Sequence, residues 1–173
     1  NLHLIDNQEE IWHLCLVIHI EKLNIHLYRC IFHVSPMPYI DDYASCARTY
    51  ATFRVYPGAV APSAVTEALG LQPTRTSIQG VKSPLHVNGW FLSSKDVIES
   101  RDSRRHIDWL LDQIEPVASA IDALISSGAK ADIFCFWESN SGNGGPELSP
   151  AQMSRLCRLN LSVGWDVWFS SNA

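Results

Sequence analysis

The sequence predicts an α+β domain, and three observations carry that reading. Apolar residues alternate at strand period near 49–56 and 163–169 and run together on both faces near 131–138; one long stretch, 103–127, repeats them at helical spacing; and Pro or Gly punctuates the junctions. The expected order is β-α-β-β-α-β-α-β, an antiparallel or mixed sheet with helices mainly on one face. Its first six elements follow the split β-α-β, ferredoxin-like plan, with an extra αβ unit appended. A doubly wound parallel sheet is the alternative.

Each element has its own signal. Thr49 to Tyr56 places Ala51, Phe53 and Val55 on one side and Tyr50, Arg54 and Tyr56 on the other, and Pro57-Gly58 ends the strand. Pro62 suits the first position of a helix carrying Val65, Ala68 and Leu69, and Gly70 supplies its left-handed end. Arg75 to Gln79 and Gly89 to Ser94 read as two shorter strands. From 103 to 127 the run Ile107, Leu110, Leu111, Ile114, Val117, Ile121, Leu124, Ile125 is helical, with Asp102 or Ser103 as cap and Gly128 as stop. Pro116 interrupts it and predicts a kink or two abutting helices, since proline lacks the backbone donor and clashes with the preceding turn. Ala131 to Glu138 is apolar on both faces, as an interior strand is. Ser139 to Pro146 forms a glycine-rich loop. Ser149 and Pro150 then open a last helix with Met153, Leu156 and Cys157 on one stripe, and Val163 to Phe169 closes the chain as a strand.

Composition limits what such a domain can do. With 13 Lys+Arg against 18 Asp+Glu the net charge is −5, so the attraction to phosphate backbones that basic proteins have is missing and no nucleic-acid partner is expected. The longest apolar run, Ile11 to Ile20, is interrupted by His13 and His19 and falls short of the roughly 20 residues of a membrane helix. No membrane partner is expected. Five cysteines, without a C-x-x-C pair, encode neither a disulfide framework nor a zinc knuckle, which points to a reducing, cytoplasmic setting.

Residues 1–36 differ sharply from the rest. They hold five of the seven histidines and no Gly, Ala or Thr, whereas all nine glycines follow Pro36. The expectation is a non-native or loosely attached extension over 1–36 and a single α+β domain over 37–173. His13-x-Cys15 and Cys30-x-x-His33 offer zinc-type ligands, but no second pair has the spacing that closes a tetrahedral site, so no metal and no cofactor is expected.

With the elements in place, particular runs carry a resemblance. Tyr50-Ala-Thr-Phe-Arg-Val, Leu69-Gly-Leu-Gln-Pro-Thr74, Gly89-Trp-Phe-Leu-Ser-Ser94, His106-x-x-Trp109, Asp132-Ile-Phe-Cys-Phe-Trp-Glu-Ser139, Gly142-x-Gly-Gly-Pro and Trp165-Asp-Val-Trp-Phe169 occur in one order over residues 49–169. This resembles a bacterial family catalogued as domain of unknown function 4279. The resemblance implies a small cytoplasmic protein and carries no activity over. Ala61 departs from it, standing where a polar helix cap is expected.

Three candidate sites emerge. If Phe53, Val55, Val163, Trp165, Val167 and Phe169 face the helices, parity turns Tyr50, Arg54, Tyr56, Phe134, Phe136, Glu138, Asp166 and Trp168 outward. Such an aromatic and charged face fits a protein partner, a homodimer or a flat ligand, because aromatics and arginine are enriched at interaction sites. The loop with Asn140 and Asn143 could turn backbone N–H groups to an anion, although Glu138 and Glu147 flank it and it lacks the Walker lysine. The favoured reading is a non-catalytic binding module using the aromatic face together with this loop. The alternative is a small hydrolase-like enzyme in which His106 works with Asp102, Asp108, Glu138 or Asp166 as general acid and base. Cys135 and Cys157 read as buried apolar residues rather than nucleophiles.

Overall fold

A computed structural model describes residues 14–20, 25–31, 37–80 and 87–169. The chain divides into two compact units, 1–36 and 37–173. The first contains an antiparallel pair, β1 (Leu14–Ile20) and β2 (Ile25–Ile31), whose register sets Cys15 opposite Cys30. His13 and His33, and the side chains of Cys15 and Cys30, lie outside what is described, and so does the zinc reading built on them.

The second unit runs β3 (Cys46–Tyr56), α1 (Pro62–Leu69), β4 (Arg75–Ser77), β5 (Gly89–Ser93), α2 (Ser103–Ile114), a 3-10 turn (Glu115–Val117), α3 (Ala118–Ser126), β6 (Lys130–Ser139), α4 (Pro150–Arg158) and β7 (Ser162–Phe169). The sheet order is β4-β5-β3-β6-β7. Every neighbouring pair is antiparallel except β6 and β7, which run parallel. The class is therefore α+β with a mixed sheet, and the doubly wound parallel alternative is wrong. A parallel neighbour needs a long crossover, and α4 is the element that supplies one between adjacent strands.

One face of the sheet is the core. Ala51, Phe53, Val55, Trp90, Leu92, Ile133 and Cys135 pack with Val65 and Leu69 of α1, Ile107, Leu110, Leu111 and Ile114 of α2, Ile121 of α3 and Leu156 of α4. Pro116 divides the long helical stretch as its chemistry requires: α2 stops at Ile114, the 3-10 turn holds the proline, and α3 begins at Ala118. α1 starts without a side-chain cap, since Ala61 has none to offer, and ends in the left-handed cap at Gly70.

Two expected core stripes need correction. In α4 the buried side chains are Gln152 and Leu156, followed by Leu159; Met153 is half exposed and Cys157 is exposed. Gln152 takes the inward position because it satisfies several polar groups there. Its Nε2 donates to Arg104 O (2.7 Å) and Asp108 Oδ2 (2.9 Å), while its Oε1 accepts from Ser149 N–H (2.9 Å) to complete a capping box. In β7, Val163 and Trp165 pack against the core, but Val167 and Phe169 are exposed, 40% and 62%, because no described helix covers the end of that strand. Arg155 of α4 ties the helical layer together through Asp108 (3.0 Å), Asp112 (2.6 Å) and Glu115 (2.8 Å) along α2 and the turn after it. Among the described residues no helix is long and apolar enough to cross a membrane.

Candidate functional site

The sheet face away from the helices is built by strand alternation. Register on β3 and β6 sets Arg48 opposite Glu138, Tyr50 opposite Phe136, Thr52 opposite Phe134 and Arg54 opposite Asp132. β5 adds Phe91 opposite Arg54, and β4 adds Arg75 opposite Phe91. β7 adds Gly164 beside Phe134, Asp166 beside Phe136 and Trp168 beside Glu138.

Cations lie across the rings of this face. Tyr50 and Phe136 stack at 5.0 Å between centroids and 12° between planes. The Arg48 guanidinium lies 4.9 Å over Phe136, Lys95 Nζ 5.6 Å over Tyr50, Arg54 4.0 Å over Phe134 and Arg75 4.5 Å over Phe91. Arg54 also clamps Asp132 with two 2.6 Å bonds, and Arg48 reaches Glu138 at 3.3 Å. Tyr56 meets Phe91 edge-on at 5.8 Å. Each exposed cation–ring contact is worth about 0.5–1 kcal/mol. That is enough to lay flexible side chains over the rings: Phe91 is buried, while Tyr50, Phe134 and Phe136 stay half-buried.

Two glycines make room for the rings. A Cβ on Gly89 would meet the Phe91 ring at 2.5 Å, and one on Gly164 would meet the Phe134 ring at 2.8 Å. Both sites therefore exclude ordinary side chains while the rings lie flat against the sheet.

The glycine-rich loop is occupied with itself. Ser139 Oγ donates to Asn143 O (2.9 Å), Ser141 Oγ donates to Asn143 Oδ1 (2.8 Å), Asn140 N–H donates to Ser45 O (2.9 Å), and Gly144 sits so close to Ser45 that a Cβ would stand 2.6 Å from it. At the start of α4 the Ser149 and Gln152 capping box takes up helix-end donors. Turn closure and capping thus account for these residues without an anion.

His106 is fully buried. Its Nε2 lies 2.9 Å from Ser100 O, a group that can only accept, so Nε2 carries the proton and Nδ1 accepts from Ser94 Oγ at 2.8 Å. Ser94 Oγ in turn accepts from Ala51 N–H (2.9 Å). The imidazole thus joins α2 to the end of β5 and to β3. Burial pushes its pKa below the ordinary 6.5, opposed by the bond to Ser100. Asp102 caps α2 and pairs with Arg104, and Asp108 receives Tyr39, Gln152 and Arg155. Glu138 and Asp166 stand on the opposite face of the sheet, so the acid-base grouping around His106 does not assemble.

Tyr50, Arg54, Tyr56, Phe136, Glu138, Asp166 and Trp168 do share one face; Asn140 and Asn143 serve the loop instead. Sequence reading missed Arg48, Arg75, Phe91 and Lys95. Phe91 was reachable by parity with Gly89, whereas Arg48 lies before the expected start of its strand and Lys95 after the end of another. Beside Tyr50 an open groove of about 860 Å³ runs between Ala47–Tyr50 and Lys95–Arg101. Among the described residues no group of three or more His, Cys, Asp or Glu is placed to hold a metal ion.

No curated protein and no solved structure matches the chain. A family model described as Domain of unknown function (DUF4279) matches residues 47–170, which takes in the whole sheet from the second residue of β3 to the end of β7. That match covers well over half of the sequence, and the chain belongs to the DUF4279 family.

Proposed function

We propose that this chain is a non-catalytic binding domain that engages a protein partner, a second copy included, through the sheet face bearing Tyr50, Arg54, Tyr56, Phe136, Glu138, Asp166 and Trp168. The observation that carries this is an aromatic face covered by individually weak cation contacts and bordered at β7 by exposed Trp168 (59%). Monomeric proteins rarely leave contiguous apolar surface uncovered, and aromatic and arginine side chains dominate binding energy where partners meet. The loop at Asn140 and Asn143 follows directly on β6 and would frame one end of the face. The antiparallel order β4-β5-β3-β6 supports a split β-α-β core to which α4 and β7 are appended. Unpaired thiols at Cys46, Cys135 and Cys157 support a reducing, cytoplasmic setting. Light scattering of the full chain and of its Trp168→Ser variant across a concentration series tests the second-copy case. Association that weakens about tenfold on losing the exposed indole is expected, and an equal response from both chains counts against it.

Residues 1–36 are proposed to be dispensable for this fold. Removing them should leave the unfolding midpoint within a few degrees of the full chain; a fall of more than about 10 °C would place them in the core.

A further inference from the structure

We propose that the groove beside the first half of β3 takes an extended peptide, which adds to β3 as a short strand in line with β5 and turns an acidic side chain toward Lys95 and Arg48. This rests on the binding-domain reading and names a class of partner for it.

β5 pairs with β3 only over Thr52–Val55. The last link is Ser94, whose N–H donates to Ala51 O (2.9 Å) and whose Oγ accepts from Ala51 N–H (2.9 Å). Beyond it the chain leaves the sheet. The N–H groups of Val97 and Ile98 turn back to Ser94 O, and Arg101 N–H bonds Asp41 O.

Alternate residues of a strand aim their main-chain groups to the same side. Thr49 lies two before Ala51, so its N–H and C=O point where those of Ala51 do, away from β6 and into the groove, and no described residue supplies a partner for them. Thr49 is itself buried and is one of the residues that line the groove. A donor and an acceptor without a partner, on a strand that lines a trough about 860 Å³ in volume, are what strand addition uses. The register shift between Cys46 and Arg48 ends regular pairing just before this point, so the free edge is short.

A short edge needs side-chain contacts as well. Arg48 and Tyr50 lie on the open-face side of the groove, and Lys95 reaches the same side, 5.6 Å over the Tyr50 ring. Lys95 has no carboxylate partner among the described residues, and Arg48 meets Glu138 in an exposed pair. Asp41 is engaged by Arg105, and Asp96, Glu99 and Arg101 line the groove as well. The position next to Lys95 is thus the one that favours an acidic side chain.

The experiment pans a phage-displayed library of random peptides against the full chain and synthesises the enriched sequences. The expected peptide carries an acidic residue, slows amide exchange at Thr49 and loses about tenfold or more in affinity when one particular main-chain N–H is methylated, with the adjacent N–H insensitive. Lys95→Glu should weaken it about tenfold, and reversing the peptide's acidic charge should recover binding to that variant. Failure to enrich any peptide, binding that no N-methylation weakens, or unchanged exchange at Thr49 overturns the proposal. Trp168→Ser is run in parallel. Trp168-dependent association that persists while the groove fails leaves the face reading standing, and peptide binding that ignores Trp168 leaves the groove standing without it.

Discussion

Replacing Asp102 by alanine is expected to destabilise residues 37–173 by about 3–5 kcal/mol, a fall in unfolding midpoint on the order of 10–20 °C. The carboxylate and the Arg104 guanidinium pair at 2.5 Å with side chains only 6% exposed. Asp102 also accepts from Arg104 N–H (3.0 Å) as the cap of α2 and from Ile40 N–H (2.8 Å), which anchors the segment leading into β3. Its removal leaves a buried cation without a counter-charge and two main-chain donors without an acceptor. The loss comes from the stranded partner more than from the pair itself. Asp102→Ala combined with Arg104→Leu should therefore recover part of the deficit, which denaturant unfolding of the three variants measures. Burial pushes the Asp102 carboxyl up, but the bonds from Arg104 and Ile40 outweigh it and hold the pKa below the ordinary 3.8. A depressed carboxyl stabilises the native state above the unfolded value, so this contribution declines once pH drops below the ordinary 3.8 and is lost as pH falls through the folded value.

His106→Ala should cost about 2–4 kcal/mol, since it opens a cavity among buried groups and leaves Ser100 O without its donor. The neutral ring is the form that fits, with Nε2 donating and Nδ1 accepting. Its pKa is depressed by burial, so between the folded and unfolded values the unfolded chain binds more protons. Stability is full above pH 6.5 and falls as pH drops below it. His106→Gln, which keeps a donor and an acceptor, should remove this slope while retaining part of the stability. Urea midpoints of both proteins from pH 7.5 down to about 5 check the sign. Because His106 fixes Ser94, and Ser94 fixes the last link between β5 and β3, the same substitution should speed amide exchange at Ala51.

The order of elements was legible because each local signal agreed with the packing that followed. Pro116 stops a helix whatever surrounds it, and Ser149-Pro150 starts one. Strand parity likewise sorted β3 and β6, since Ala51, Phe53 and Cys135 went inward and Tyr50, Arg54 and Phe136 to the other face. What stayed hidden depended on partners distant in sequence. Gln152 displaced the expected apolar stripe of α4 because Arg104 O and Asp108 needed a donor. His106 took a structural place because Ser94 and Ser100 happen to flank it in space. Periodicity could not show where β7 outruns its covering helices, and so it sent Val167 and Phe169 inward. The cations over the aromatic rings were invisible for a similar reason, since Arg48 and Lys95 belong to strand ends that short-range pattern does not define.

The measurement that bears most directly on the open face is site-specific photo-crosslinking in cells that make the full chain, with the reactive group placed at Trp168 or at Met153. Both side chains are at least half exposed, Trp168 beside the aromatic face and Met153 on α4 of the helical layer, so they sample opposite surfaces equally well. A defined adduct, to one protein or to a second copy, from Trp168 and not from Met153 is the expected result. Equal labelling from the two positions, or none from either in a chain that light scattering finds monomeric, would contradict a partner on that face.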